Sequence, residues 1–197
     1  LDDYKGLKIR IPGLGGEVLR KIGAAAINLP GGEIYTSLQS GAIDATEWVG
    51  PWNDLAFGFY KVTKYYYYPG FHEPGTALSF SLNKKMWDGL SSEHKAIIKS
   101  AASAQNDETL SEFNARNGGA LATLTGTHNV KLRKFSDEVM TSIGNASGEV
   151  LDAVAGSDAM TKRVFDSFIK FRKNAIGWTG LSETAFTSAR SLKYKYG

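Results

Sequence analysis

An α/β fold with a mixed, largely parallel sheet and long C-terminal helices is predicted by three features of the sequence. Short apolar runs alternate with helical patterns between Leu7 and Asn83, the habit of strands joined by crossover helices. Beyond Lys84 the apolar spacing turns helical and stays so for most of the remaining chain. No stretch reaches the roughly 20 apolar residues that a membrane-spanning helix requires.

Taken in order, the runs Leu7 to Ile11, Ala25 to Leu29, Ala42 to Val49, Tyr65 to Pro69 and Thr76 to Asn83 are expected strands. Between them Val18 to Gly23, Glu33 to Gln39 and Trp52 to Lys64 are expected helices. The last carries Trp52, Leu55, Ala56 and Phe59 on one face, behind Pro51, whose missing N–H costs nothing in a first turn. Ser91 can cap a long helix through Ile97, Ile98, Ala101, Leu110 and Phe113 to about Gly118. Asn129 to Phe135 alternates as a strand does. Ser136 then caps a helix whose first turn holds Asp137 and Glu138 and whose stripe is Val139, Ile143, Ala146, Val150 and Val154. Another helix starts near Asp158 with Phe165, Phe168, Ile169 and Arg172 on one side, and the segment from Ser182 to Lys195 closes the chain. The expected division is an α/β ligand-binding region over 1–83 and a mainly helical region over 84–197 with one added strand.

Composition narrows the function. With 197 residues and 42% hydrophobic content the chain can bury a real core. Its 23 basic and 20 acidic residues leave a net charge of +3, and the basic residues are dispersed, so nucleic-acid binding gains little support. The absence of cysteine excludes disulfides, thiolate metal sites and a cysteine nucleophile, and leaves the compartment open. Leu1 is neither an initiator methionine nor the start of a signal-peptide pattern, so the chain is expected to begin inside something longer.

The richest segment for chemistry runs from Gly31 to Gly75. It holds a glycine-capped helix, the Glu47–Trp48 pair at a strand end and four consecutive tyrosines from Tyr65 to Tyr68. Polar-tipped rings around a few charges suit a concave site for a small polar ligand, although tyrosines also line sheets that bind nothing. Arg10 ends the first expected strand, just before the turn Gly13 to Gly16 that opens a helix. Strand ends and helix starts of α/β proteins receive anions, and a guanidinium there can clamp a carboxylate; a solvated strand arginine is the alternative. The carboxylate of Glu47 can ligate a hard cation, against the plainer reading of a surface acid beside a core tryptophan. A dinucleotide fingerprint beginning at Gly13 would need glycine where Val18 stands, and a zinc-protease motif at His72–Glu73 would need histidine where Thr76 stands. With only His72, His94 and His128 available, a multi-histidine metal site is not expected, and FHEPG reads as a loop.

The segments KIRIPGLGGEVLRKIGA, PGGEIYTSLQSGAIDATEWVGP and YYYYPGFHEPG resemble the solute-binding subunits of tripartite ATP-independent periplasmic (TRAP) transporters, the DctP-type extracytoplasmic receptors, and within them the branch that binds 2-oxo acids and lactate. The resemblance covers essentially the whole chain. It implies periplasmic-binding-protein-like α/β lobes that close on a ligand, no catalysis, a periplasmic location, TRAP permease subunits as partners, and a homodimer built through C-terminal helices. It also implies that Arg10 pairs with the ligand carboxylate. Glu47 and Trp48 would help to hold a cation, sodium or calcium, that bridges to the ligand, with Trp48 and Phe71 beside the ligand. Phe71 stands where the branch often has tryptophan, which removes an indole N–H. Such proteins are longer, and most of the first lobe is expected to precede Leu1. The alternatives kept open are a nicotinamide-dependent enzyme on small hydroxy acids and a truncated fragment that binds nothing.

Overall fold

The computed structural model describes residues 1–73, 75 and 78–195. The chain forms two compact units, Leu1–Ala146 and Ser147–Gly197. The first is α/β. Its central strand β1 (Lys8–Arg10) lies between β2 (Ala25–Ile27) and β3 (Ala45–Thr46), parallel to both, with Arg10 opposite Ile27 on one side and Thr46 on the other. The connecting helices are α1 (Gly13–Lys21) and α2 (Ile34–Ser40). After β3 come α3 (Pro51–Phe57), a 3-10 turn (Phe59–Lys61) and β4 (Tyr65–Tyr68). β4 pairs in parallel with β5 (Lys131–Lys134), Tyr65 opposite Lys131. Between these two strands lie α4 (Lys84–Gly89), the long α5 (Ser92–Ala122) and a π-helical turn (Thr123–Thr127).

Two apolar clusters cover the three-stranded sheet. Ile11, Leu19 and Ala24 pack with Ile9 and Ala26, while Ile34, Leu38, Ile43 and Phe59 pack with Ile27, Leu29 and Trp48. Neighbouring residues of β2 thus feed different clusters, Ala26 one and Ile27 the other, as expected of a strand whose side chains alternate between two faces that both meet apolar residues. Leu19 and Ile34 are wholly withdrawn from water, each removal contributing about 1.5 to 3 kcal/mol.

Three helices, α5 (Ser92–Ala122), α6 (Asp137–Ala155) and α7 (Ala159–Leu181), start where their capping residues indicate. Ser91 Oγ accepts from the His94 N–H at 3.2 Å and Ser136 Oγ from the Val139 N–H at 3.3 Å, opening α5 and α6 (Asp137–Ala155). In the second unit Asp158 Oδ1 accepts from the N–H groups of Met160 and Thr161 at 2.8 and 2.9 Å, opening α7 (Ala159–Leu181), which packs on α8 (Glu183–Arg190). No helix among the described residues is long and apolar enough to cross a membrane.

Several boundaries differ from those the sequence suggests. α1 begins at Gly13 rather than Val18, because its glycines serve close packing: a Cβ on Gly16 would lie 2.9 Å from the Ile11 carbonyl oxygen. The strand expected over Ala42 to Val49 contracts to Ala45–Thr46, since an Asp44 carboxylate oxygen, not a backbone carbonyl, accepts the Lys8 N–H at 3.0 Å. The helix expected over Trp52 to Lys64 is cut at Gly58, whose φ of 73° is left-handed and ends α3. α5 runs on to Ala122, past Gly118. Of the strand expected over Thr76 to Asn83, Thr76 and Ala77 lie outside the described residues, and Leu78 to Asn83 form no strand. There Asn83 is instead the cap of α4, its Oδ1 accepting from the Met86 N–H at 3.2 Å.

Candidate functional site

The carboxyl end of β1 is the place where the sheet offers a binding crevice. The chain leaves β1 for β2 on one side and then crosses back from β2 to β3 on the other, so the strand order reverses at β1 and the crevice opens at that switch point. Arg10 is the last residue of β1. Its guanidinium is held twice: Nε donates to the Leu29 carbonyl at 3.0 Å and Nη1 donates to Glu47 Oε1 at 2.6 Å. Both side chains are largely buried, at 10% and 14% exposure, so the pair is a desolvated one whose partners each depend on the other.

Glu47 follows β3, and its N–H donates to the Arg10 carbonyl at 3.2 Å, so the two residues are joined through backbone as well as side chain. The second carboxylate oxygen, Oε2, lies 2.8 Å from His72 Nε2. Glu47 therefore bridges a cationic group from β1 and an imidazole from the segment after β4. His72 also meets Phe71 edge-on at 5.2 Å, and its Nδ1 is buried with no hydrogen-bond partner among the described residues.

Trp48 lies on the other side of the same guanidinium, with Arg10 Cζ 5.4 Å from its ring centroid. Its ring packs against Phe57 at 5.2 Å and over Gly31, where a Cβ would come within 2.4 Å of Cη2. Only glycine leaves room for the indole. Phe71 packs on the cluster of Ile11, Leu19 and Ala24. A cavity of about 350 Å³ opens beside these groups, lined by Ile11, Gly13, Leu14, Glu47, His72 and Glu73. Arg10, Trp48 and Phe71 are not among its lining residues, so Glu47 and His72 are the groups that connect the cavity to the buried pair.

Behind the site, Tyr66 Oη donates to Asp54 Oδ2 at 2.5 Å. Burial pushes the Asp54 carboxyl up to about 6, with the nearby Glu47 charge adding to the effect and the Tyr66 hydroxyl and backbone N–H groups of Gly50 and Val49 opposing it. Burial and the Asp54 charge likewise raise the Tyr66 hydroxyl well above the ordinary tyrosine range.

The donor chemistry fits a hard cation in part. Glu47 offers carboxylate oxygens, whereas the Trp48 indole N–H has no lone pair, which leaves the Trp48 carbonyl as its one useful donor. Among the described residues no group of three or more histidine and acidic side chains converges to hold a metal. A cation at Glu47 would thus take much of its shell from backbone carbonyls and from the ligand. The sequence brings Arg10, Glu47 and Trp48 to attention, and the structure places them together. It also adds His72 and the Asp54–Tyr66 pair, for which a lone histidine in a loop and one tyrosine among four were the sole and insufficient signals.

The family described as bacterial extracellular solute-binding protein, family 7 (DctP), matches residues 1–158. The chain is 40% identical over 191 residues to a monocarboxylate 2-oxoacid-binding periplasmic protein of Nostoc sp., covering 97% of this chain and 52% of that protein. A TRAP periplasmic solute-binding protein of Pseudoalteromonas atlantica, solved with bound sodium and pyruvate, superposes with a TM-score of 0.89 at 38% identity, covering 98% of this chain and 58% of that one. One from Colwellia psychrerythraea, solved with calcium and pyruvate, gives 0.89 at 41% identity, covering 95% and 57%. The chain spans little more than half the length of these relatives. The shared fold, with the match across most of the sequence, shows that the chain belongs to the DctP family of bacterial extracellular solute-binding proteins.

Proposed function

We propose that the chain is part of the periplasmic solute-binding subunit of a TRAP transporter and binds a small monocarboxylate, a 2-oxo acid such as pyruvate or a 2-hydroxy acid such as lactate, together with sodium or calcium. The observation that carries this reading is the buried Arg10–Glu47 pair at the carboxyl end of β1, reached through Glu47 and His72 from a cavity of about 350 Å³. In the proposed complex Arg10 neutralises the ligand carboxylate. Glu47 and the Trp48 carbonyl supply oxygens to the cation, which polarises the neighbouring ligand oxygen. Phe71 packs on the cluster that contains Ile11 and so backs the cavity wall that Ile11 lines. The relatives from Pseudoalteromonas and Colwellia hold pyruvate with sodium and with calcium, which supports the same ligand class here.

The family binds solutes and is not a family of enzymes, so the nicotinamide-dependent alternative is set aside. The partners are TRAP permease subunits and, through α7 and α8, a second copy of the chain. The region over 1–83 is assigned to ligand binding and 84–197 to hinge and association. Calorimetric titration of pyruvate and of lactate, each with calcium, with sodium and with chelator, tests the proposal. Saturable binding that needs the cation is expected, and absence of binding under every condition contradicts it for this chain.

A further inference from the structure

The segment Glu47–Gly50 is pinned at one end by the Glu47 N–H to the Arg10 carbonyl. Its other end enters α3, whose N-cap residue makes no side-chain cap. Gly50, at the cap position, has no side chain to accept a hydrogen bond, and Pro51 brings no N–H. The first amide needing a partner is that of Trp52, and it finds one 65 residues away: Trp52 N–H donates to Asn117 Oδ1 on α5 at 3.0 Å. The same oxygen would lie 3.4 Å from a Cβ on Gly50, so the carboxamide sits directly over the helix start and a side chain at position 50 would crowd it.

The contact is reinforced on both sides. The Trp52 ring meets Phe113 edge-on at 5.2 Å, one turn before Asn117 on α5. Arg116 lays its guanidinium 4.9 Å from the Trp52 ring centroid and is itself held by Glu112, Nε to Oε1 at 2.7 Å. One face of α5 therefore grips the first turn of α3, and that turn begins three residues after Trp48.

We propose that Asn117 is a positioning residue for the candidate site: it caps α3 from α5 and so fixes the Gly50 end of the segment that presents Glu47 and Trp48. The role of Glu47 and Trp48 in cation and carboxylate binding is the reading given above, on which the functional side of this proposal rests. An asparagine has the required reach and acceptor. Aspartate keeps the acceptor, whereas alanine and leucine remove it and leave the Trp52 amide without its partner.

Hydrogen exchange of the full chain, read at single amides, tests this without any ligand. In Asn117→Ala the Trp52 amide should lose about tenfold in protection and the Glu47 amide, 70 residues from the substitution in sequence, several-fold, with Asn117→Asp restoring both. Should Asn117→Ala expose Trp52 while Glu47 and the Trp48 indole keep their parental exchange, the residue is a local cap and the proposal is overturned. Equal loss across the whole chain in Asn117→Ala and Asn117→Asp also overturns it. Calorimetry with calcium in the presence of saturating pyruvate, run on the same variants, separates the two readings: loss of calcium affinity in Asn117→Ala with recovery in Asn117→Asp supports positioning. A parent chain that shows the exchange pattern but takes up no calcium even with pyruvate present leaves the positioning role standing and refutes the cation reading of Glu47.

Discussion

Arg10 Nη1 lies 2.6 Å from Glu47 Oε1 with both side chains nearly out of water, so neither charge can lose its partner cheaply. The pair occupies the end of the central strand, and every proposed binding function of the first unit converges on it.

Removing Arg10 should therefore destabilise the ligand-free protein. Arg10→Ala leaves Glu47 buried with His72 as its remaining side-chain partner, a loss on the order of 3 to 5 kcal/mol in urea denaturation. Arg10→Lys should lie near the alanine variant, since one ammonium cannot serve both the Leu29 carbonyl and Glu47 as the planar fork does. The same order is expected for pyruvate affinity, and Arg10→Lys within about twofold of the parent would contradict the clamp.

Gly31→Ala tests the packing of Trp48. The new Cβ would meet the ring edge at 2.4 Å, and the ring is confined between Phe57 and the Arg10 guanidinium. A destabilisation of about 1 to 3 kcal/mol is expected, with a shift in the Trp48 indole resonance. An unchanged denaturation midpoint would mean that the indole has another place to go.

Asp54 gives stability a pH dependence of defined sign. Its folded-state carboxyl titrates near 6 against 3.8 for the ordinary side chain, so folding takes up a proton between those values. Stability from this group is complete below the unfolded value and is lost as pH rises through about 6, by roughly 3 kcal/mol in all. Asp54→Asn should gain about that much relative to the parent between about pH 4 and about pH 7, measured by urea denaturation. A constant difference across that range would show that Asp54 ionises normally.

The second unit carries apolar side chains in water: Val164 is 64% exposed, Phe171 73%, Trp178 65% and Leu181 80%. Surface of that kind is commonly covered by a second copy. Light scattering should report a dimer or larger species, and Phe171→Asp should shift it towards monomer. A clean monomer in the parent would contradict the association role of α7 and α8.

Much of the architecture is written locally. Ser91, Ser136 and Asp158 announce their helices because a capping side chain acts within three residues; β2 and β4 are apolar or aromatic runs, and β1 and β5 lie in segments where basic and apolar residues alternate. What the sequence hides depends on distant partners. Gly15 and Gly16 look like helix breakers, yet they belong to α1 because Ile11 leaves no room for a side chain. Ala42 to Val49 alternates as a strand, but Asp44 and Glu47 are drawn into side-chain bonds with Lys8 and Arg10, and only Ala45–Thr46 stays in the ladder. Arg10, Glu47 and Trp48 were visible as charges and a ring at strand ends. His72 was not, since its bond to Glu47 joins a loop to a strand end across 25 residues.

The most direct measurement is a thermodynamic cycle between Glu47→Gln and cation removal, read as pyruvate affinity by calorimetry. Glutamine keeps the shape of the side chain but not the charge a hard cation prefers. If Glu47 holds the cation, chelator weakens pyruvate binding in the parent and does little further in Glu47→Gln, so that the two losses fail to add. Losses that add independently would contradict a cation held by Glu47.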